Sequence, residues 1–208
     1  MVSHQIVEAL EIPFECKHAD CEFEAPNGQI ASHEKKCDYR KVRCPDGRCR
    51  EDVPLRNLLE HMERGRDVLE CNNDGVIVRE YYMSKESYRR KYENMNWTRR
   101  VFAYQDKHFV MVVERVDKFY YSYLYILADQ EEAENYTVTI TVGHGGQTEK
   151  THRNGKVFPI DDKHEDILKQ RSGVLSFSRG TGDLFEDQDV AGQEKKVVLS
   201  FKISRVQG

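Results

Sequence analysis

The sequence predicts a mostly β protein, with two small cysteine- and histidine-bearing modules in tandem followed by an antiparallel β-sandwich. Three observations lead there. All six cysteines lie in roughly the first third of the 208 residues. Within that third a Cys/His pattern repeats at an offset of 28 residues. Beyond Arg99 the apolar pattern settles to a period of two, the mark of half-buried strands.

The repeat superposes three residues at once: Cys16 on Cys44, Cys21 on Cys49 and His33 on His61. Each unit reads Cys, four residues, Cys, eleven residues, His. The first closes with Cys37 after three more residues, where the second has Gly65. The next thiol for the second unit is Cys71, with nine residues between it and His61, and His18 is a weaker rival. Zinc takes about four soft or borderline ligands in a tetrahedron at roughly 2.0–2.3 Å, so two chain segments must supply them. A Cys-x4-Cys knuckle on a tight hairpin offers two sulfurs, and a helical turn carrying His and then Cys offers the other two on one face. Asn27-Gly28 and Pro45-Asp46-Gly47 supply turn signals, and Leu55, Leu58, Leu59 and Met62 an apolar helical face. The expectation is two structural Zn(2+) ions, one held by Cys16, Cys21, His33 and Cys37, the other by Cys44, Cys49, His61 and Cys71. With four protein ligands each, neither site is expected to be catalytic.

The fingers are placed at residues 14–75, after an N-terminal tail at 1–13. Residues 76–98 read as a charged connector, in which Tyr81, Lys85, Tyr88 and Tyr92 share the spacing of one helical face. Residues 99–206 form the sandwich. Its expected strands are Phe109–Val113, Phe119–Leu127, Tyr136–Val142, Val174–Ser178 and Val197–Ser204, with Lys163–Gln170 the single helix. Turns are expected at Asp106-Lys107, Gly143–Gly146, Asn154-Gly155 and Gly180–Gly182.

Composition excludes several classes. A hydrophobic fraction of 38% is too apolar for a disordered chain, and a net charge of −4 gives no global pull toward nucleic acid. Residues 1–75 carry eleven Lys/Arg against sixteen Asp/Glu, the wrong sign for fingers that grip phosphates. No apolar run reaches the roughly 20 residues of a spanning helix. The opening Met1-Val2-Ser3-His4-Gln5 lacks a secretory layout, so the expectation is cytoplasmic or nuclear. No nucleophile elbow or phosphate loop is present. Gly143-His144-Gly145-Gly146 reads as a turn rather than an anion nest, and Asp161, Asp162, Glu165 and Asp166 as an acidic helix start rather than a cation site. His108, His144, His152 and His164 have no cysteine nucleophile to serve, and no catalytic residue is assigned.

Two such fingers before a β-sandwich resemble the substrate-binding region of the Seven-in-absentia E3 ubiquitin ligases and, more distantly, the TRAF-type zinc finger proteins. His33-Glu34-Lys35-Lys36-Cys37 and Val42-Arg43-Cys44-Pro45 are similar to both groups, whereas Val53–His61 leans to the TRAF style. His108–Glu114 and Glu132–Tyr136 resemble Seven-in-absentia strands. The resemblance implies a TRAF-like sandwich that binds a protein partner or degron peptide beside a strand edge, and a homodimer. Family members recruit the ubiquitin-conjugating enzyme through a RING domain, for which these residues hold no spare cysteines. The groove residues are unassigned, since Trp97 precedes the expected sandwich. A TRAF-like signalling adaptor is the alternative reading.

Overall fold

The computed structural model describes residues 13–46, 49, 51–64, 69–83, 95–116, 119–143, 151–170, 172–178 and 195–206. They belong to two compact units, Met1–Arg64 and Gly65–Gly208. The first unit repeats one construction, a short hairpin leading into a helix. Strand β1 (Phe14–Glu15) pairs with β2 (Glu24–Ala25), and α1 (Asn27–Lys36) follows. Strand β3 (Lys41–Arg43) pairs with β4 (Asp52–Pro54), and α2 (Leu55–Glu63) follows. Asn27-Gly28 is therefore the first turn of α1 and not a free-standing reverse turn. The Pro26 carbonyl accepts from the N–H groups of both Gln29 and Ile30, and the coil simply continues.

Helix α2 follows Pro54 and has no side-chain cap. Its first N–H groups would be orphans. Leu55 donates instead to the Arg40 carbonyl at 3.0 Å, and Arg56 to the Asp38 carbonyl at 2.9 Å. The turn after Cys37 thus caps the second helix, and the Arg56 guanidinium lies over the Tyr39 ring at 4.6 Å. Of the apolar face read from sequence, Leu58 and Met62 are buried, while Leu55 and Leu59 are half-buried.

The second unit packs two sheets. One has the order β11-β10-β14-β6, from β6 (Val76–Met83), β10 (Tyr136–Gly143), β11 (Thr151–Lys156) and β14 (Lys195–Arg205). The other runs β12-β9-β8-β7-β5, from β5 (Leu69–Glu70), β7 (Met95–Tyr104), β8 (Lys107–Val116), β9 (Phe119–Ile126) and β12 (Phe158–Pro159), with β13 (Leu175–Ser178) also on β9. Helices α3 (Gln130–Ala133) and α4 (His164–Lys169) lie in the connections. Period-two side chains from both sheets meet in one core: Phe102, Phe109, Met111, Val113 and Leu124 from one, Tyr136, Val138, Ile140, Leu199, Phe201 and Ile203 from the other. Phe109 stacks near Phe102 at 5.7 Å and meets Tyr136 edge-on at 5.3 Å, joining the layers. Five strands fall on the five expected runs, and α4 on the expected helix.

Three expectations need correction. Residues 76–98 are not a helical connector: β6 and β7 occupy 76–83 and 95–98, and β6 pairs along β14 with Ile77 opposite Phe201. The β-branched run Val76-Ile77-Val78 and the tyrosines after it favour extended chain, which outweighs a helical spacing. Residues 84–94, which hold Lys85, Tyr88 and Tyr92, lie outside the described residues. The sandwich accordingly begins well before residue 99, with β5 beside β7. Asn154-Gly155 is not a turn either, because it lies within β11, opposite Thr139 and Val138. Glycine stands there for close approach: a Cβ on Gly155 would lie 2.0 Å from the Gly173 backbone nitrogen. The other glycine-rich turns, around 144–146 and 180–182, lie outside the described residues.

Gly155→Ala must push backbone against backbone, and we expect it to cost about 1–3 kcal/mol. Urea unfolding of the purified chain checks this, and an unchanged midpoint would refute the close approach.

Candidate metal centres

In the first unit the two hairpins form the knuckles. The Cys16 N–H donates to the Phe23 carbonyl at 3.0 Å, and that of Cys21 to the His18 carbonyl at 3.2 Å. Asp20, at φ 66, turns the chain between them. The second knuckle is built alike, with the Cys44 N–H on the Glu51 carbonyl at 3.0 Å and that of Cys49 on the Asp46 carbonyl at 2.8 Å. Helix α1 carries His33 and ends at Cys37, and α2 carries His61 in its last turn.

These elements converge on two groups. The ligand atoms of Cys16, Cys21, His33 and Cys37 all lie within 4.8 Å of one another, and so do those of Cys44, Cys49 and His61. Each histidine aims Nε2 at a sulfur, His33 at Cys21 and His61 at Cys49, both at 3.3 Å. Phe23 stacks on the His33 ring at 3.9 Å and fixes its plane. His61 turns Nδ1 to Glu51 Oε2 at 3.7 Å, the arrangement by which a carboxylate orients a metal-ligating imidazole.

Buried thiols gathered this closely have little to do as neutral groups. Burial pushes both Cys37 and Cys44 up to about 11, so ionising them needs a compensating cation. Cys21 is shifted down, chiefly by its bond from the Phe23 backbone. A divalent cation at the centre of each group would accept the sulfurs as thiolates, so the donor sets fit bound metal ions.

The structure gathers seven of the eight candidate ligands read from sequence into two groups within the first unit; the eighth is Cys71. It belongs to the second unit, where it packs half-buried against the sandwich core and donates its N–H to the Ala103 carbonyl at 3.3 Å. The loose nine-residue spacing carried no geometric constraint, and a thiol is also a good apolar neighbour. His18 is not drawn into the first group: its Nε2 bonds the Glu34 carbonyl at 3.1 Å. Asp161, Asp162, Glu165 and Asp166 form no ligand group among the described residues.

Two supporting contacts escaped the sequence reading. Lys17 meets Glu34 at 2.8 Å, joining the residue after Cys16 to the residue after His33, and that bond holds the Glu34 carboxyl below its usual range. In the sandwich, the Tyr123 hydroxyl donates to buried Glu114 at 3.2 Å and lies 2.8 Å from His164 Nδ1. That cluster fastens α4 to the sheet and takes up the histidine considered as a base. Adjacent placement of Lys17 and Glu34 to ligands was the available signal; nothing in the sequence pairs Glu114 with His164.

No family model matches the chain. It is similar to the E3 ubiquitin-protein ligase SINAT5 of Arabidopsis thaliana, 25% identical over 187 residues, 85% of this chain and 59% of that protein. SINAT3 of the same plant is 26% identical over 211 residues, 91% and 63% respectively. The E3 ubiquitin-protein ligase DIS1 of Oryza sativa subsp. japonica is 23% identical over 192 residues, 85% and 61%. Over most of its length the chain is thus similar to ubiquitin ligases of the Seven-in-absentia type. It spans about three fifths of the length of the curated relatives it matches. The Seven-in-absentia likeness runs through fingers and sandwich together, as the residues quoted for it do. Among the described residues no helix is long and apolar enough to cross a membrane.

Cys37→Ser removes one donor from a closed set of four. We expect the purified variant to carry one fewer metal ion per chain by elemental analysis. An unchanged metal content would show that the first group is not a metal centre.

Proposed function

We propose that this chain is the substrate-recognition region of a Seven-in-absentia-type ubiquitin ligase, with two zinc ions as scaffold and the sandwich as the binding surface. Thiolate and imidazole donors in sets of this composition suit Zn(2+), which has no redox chemistry and no geometric demand beyond the tetrahedron. Two-fold dimerisation and action in the cytoplasm or nucleus go with the same reading.

The observation that carries the binding mode is the edge of the four-stranded sheet. Strand β10 has β11 on one side and β14 on the other, so its main chain is already paired. Among the described residues no strand other than β10 pairs with β11, so β11 is the sheet edge beside which an extended peptide could add as a further strand. Arg153 and Asn154 on β11 are exposed, whereas Gly155 is covered by the backbone of Gly173. A peptide laid there gains main-chain hydrogen bonds of about 1 kcal/mol each and takes its selectivity from every second side chain. A single extended peptide should bind at roughly 1–100 μM, since it loses conformational freedom on ordering.

A twelve-residue peptide selected from a random display library is the probe. Amide shift mapping should place it along residues 151–156, and N-methylation of alternate peptide amides should weaken it by roughly tenfold or more. Shifts confined to the first unit, with β11 silent, would overturn the reading.

A further inference from the structure

Helix α2 carries His61 in its last turn and has only the nine residues Leu55–Glu63. A helix of that length is marginal on its own in water, and this one starts after Pro54 with no side-chain cap. Its first turn is held instead by the three residues that follow Cys37. Leu55 donates its N–H to the Arg40 carbonyl at 3.0 Å, and Arg56 to the Asp38 carbonyl at 2.9 Å. The Arg56 guanidinium lies over the Tyr39 ring at 4.6 Å.

The same three residues are tied to the first centre. The Cys37 carbonyl accepts from the Arg40 N–H at 3.0 Å and from the Arg40 guanidinium at 3.2 Å. Arg40 is buried there, and Tyr39 packs against the cluster of Cys16, Ala25, Ile30 and Cys37. One short segment therefore begins at a candidate ligand of the first group and caps the helix that bears a candidate ligand of the second.

Resting on the metal reading above, we propose that residues 37–40 couple the two centres, so that filling the first raises the metal affinity of the second. Coordination of Cys37 fixes the start of the segment. The Arg40 bonds and the packing of Tyr39 then hold the carbonyls of Asp38 and Arg40 where α2 needs them. Helix α2 in turn presents His61 Nε2 beside Cys49, already ordered when the second ion arrives. With the first centre disabled, the entropy of ordering the segment and the helix falls on the second ion alone. Each backbone bond from the segment to α2 is worth about fivefold in an equilibrium constant, so the two together give a coupling of at least about tenfold. By linkage the second ion strengthens the first by the same factor.

Co(2+) binding to the 208-residue chain, followed by chelator competition, tests this. Cys16→Ser with His33→Ala leaves the second centre alone, and Cys44→Ser with His61→Ala leaves the first. The product of the two native association constants, divided by the product of the two single-centre constants, is the coupling factor. It should be at least about tenfold in the native chain. Leu55→Pro isolates the route, because proline lacks the N–H, suits the first position of a helix and tolerates the extended Pro54 before it (ψ 135). Leu55→Ala trims the side chain and keeps the N–H. The factor should fall by about fivefold in Leu55→Pro and hold in Leu55→Ala. Amide exchange reads the coupling with α2 unaltered: residues 57–63 should exchange faster when the first centre is disabled and the second is loaded. A coupling factor near one, or native exchange of α2 in that variant, would overturn the coupling and leave two independent metal sites. A factor undiminished by Leu55→Pro would overturn the route through residues 37–40. Failure of the first cluster to bind cobalt or zinc would instead refute the metal reading, and the coupling with it.

Discussion

Cys16, Ala25, Ile30 and Cys37 make up the buried cluster of the first finger, and two of these four are metal-ligand candidates. That is the constraint on which the first unit depends. So small an apolar cluster cannot offset the conformational entropy of ordering a hairpin and a helix. A cation bound by the gathered sulfurs and imidazole would supply what the missing side chains cannot, at fixed geometry. The knuckle hydrogen bonds, the Phe23–His33 stack and the Lys17–Glu34 pair are then orienting contacts around that centre. The pair itself is surface-exposed on the lysine side and adds little stability alone. The second finger leans on the first through the carbonyls of Asp38 and Arg40, so loss of the first centre reaches α2 as well.

The sandwich works by the opposite means. Its core joins residues of both sheets, with aromatic contacts between Phe102, Phe109 and Tyr136, and needs no ion. Among the described residues β11 is the edge beyond β10, its register set by six residue pairs. A rigid edge suits the peptide binding proposed above, because the peptide would then bear the ordering cost alone.

Legibility followed the strength of the local constraint. Candidate ligands on a hairpin and a helix obey tight spacings, so the convergence of Cys16, Cys21, His33 and Cys37, and of Cys44, Cys49 and His61, could be read directly. The spacing of Cys71 is of another kind, since nine intervening residues fix no geometry and a thiol also suits an apolar core. Strands with a clean period of two were readable, as from Tyr136 to Val142. Strand β6 was not: its outward-facing Val78 is exposed, and its charged and aromatic residues imitate a helical face. Gly155 misled because glycine serves both turns and close backbone contacts, and only its distant neighbour Gly173 decides between them. The Glu114–Tyr123–His164 cluster joins residues far apart in sequence, which no local pattern announces.

The central claim is that metal coordination, not an apolar core, maintains the first unit. Hydrogen exchange of the 208-residue chain before and after treatment with a strong chelator tests it directly. Amides of residues 13–64 should lose their protection, while those of β8, β10 and β14 keep theirs. Persistent protection of α1 and α2 in the stripped protein would contradict the account.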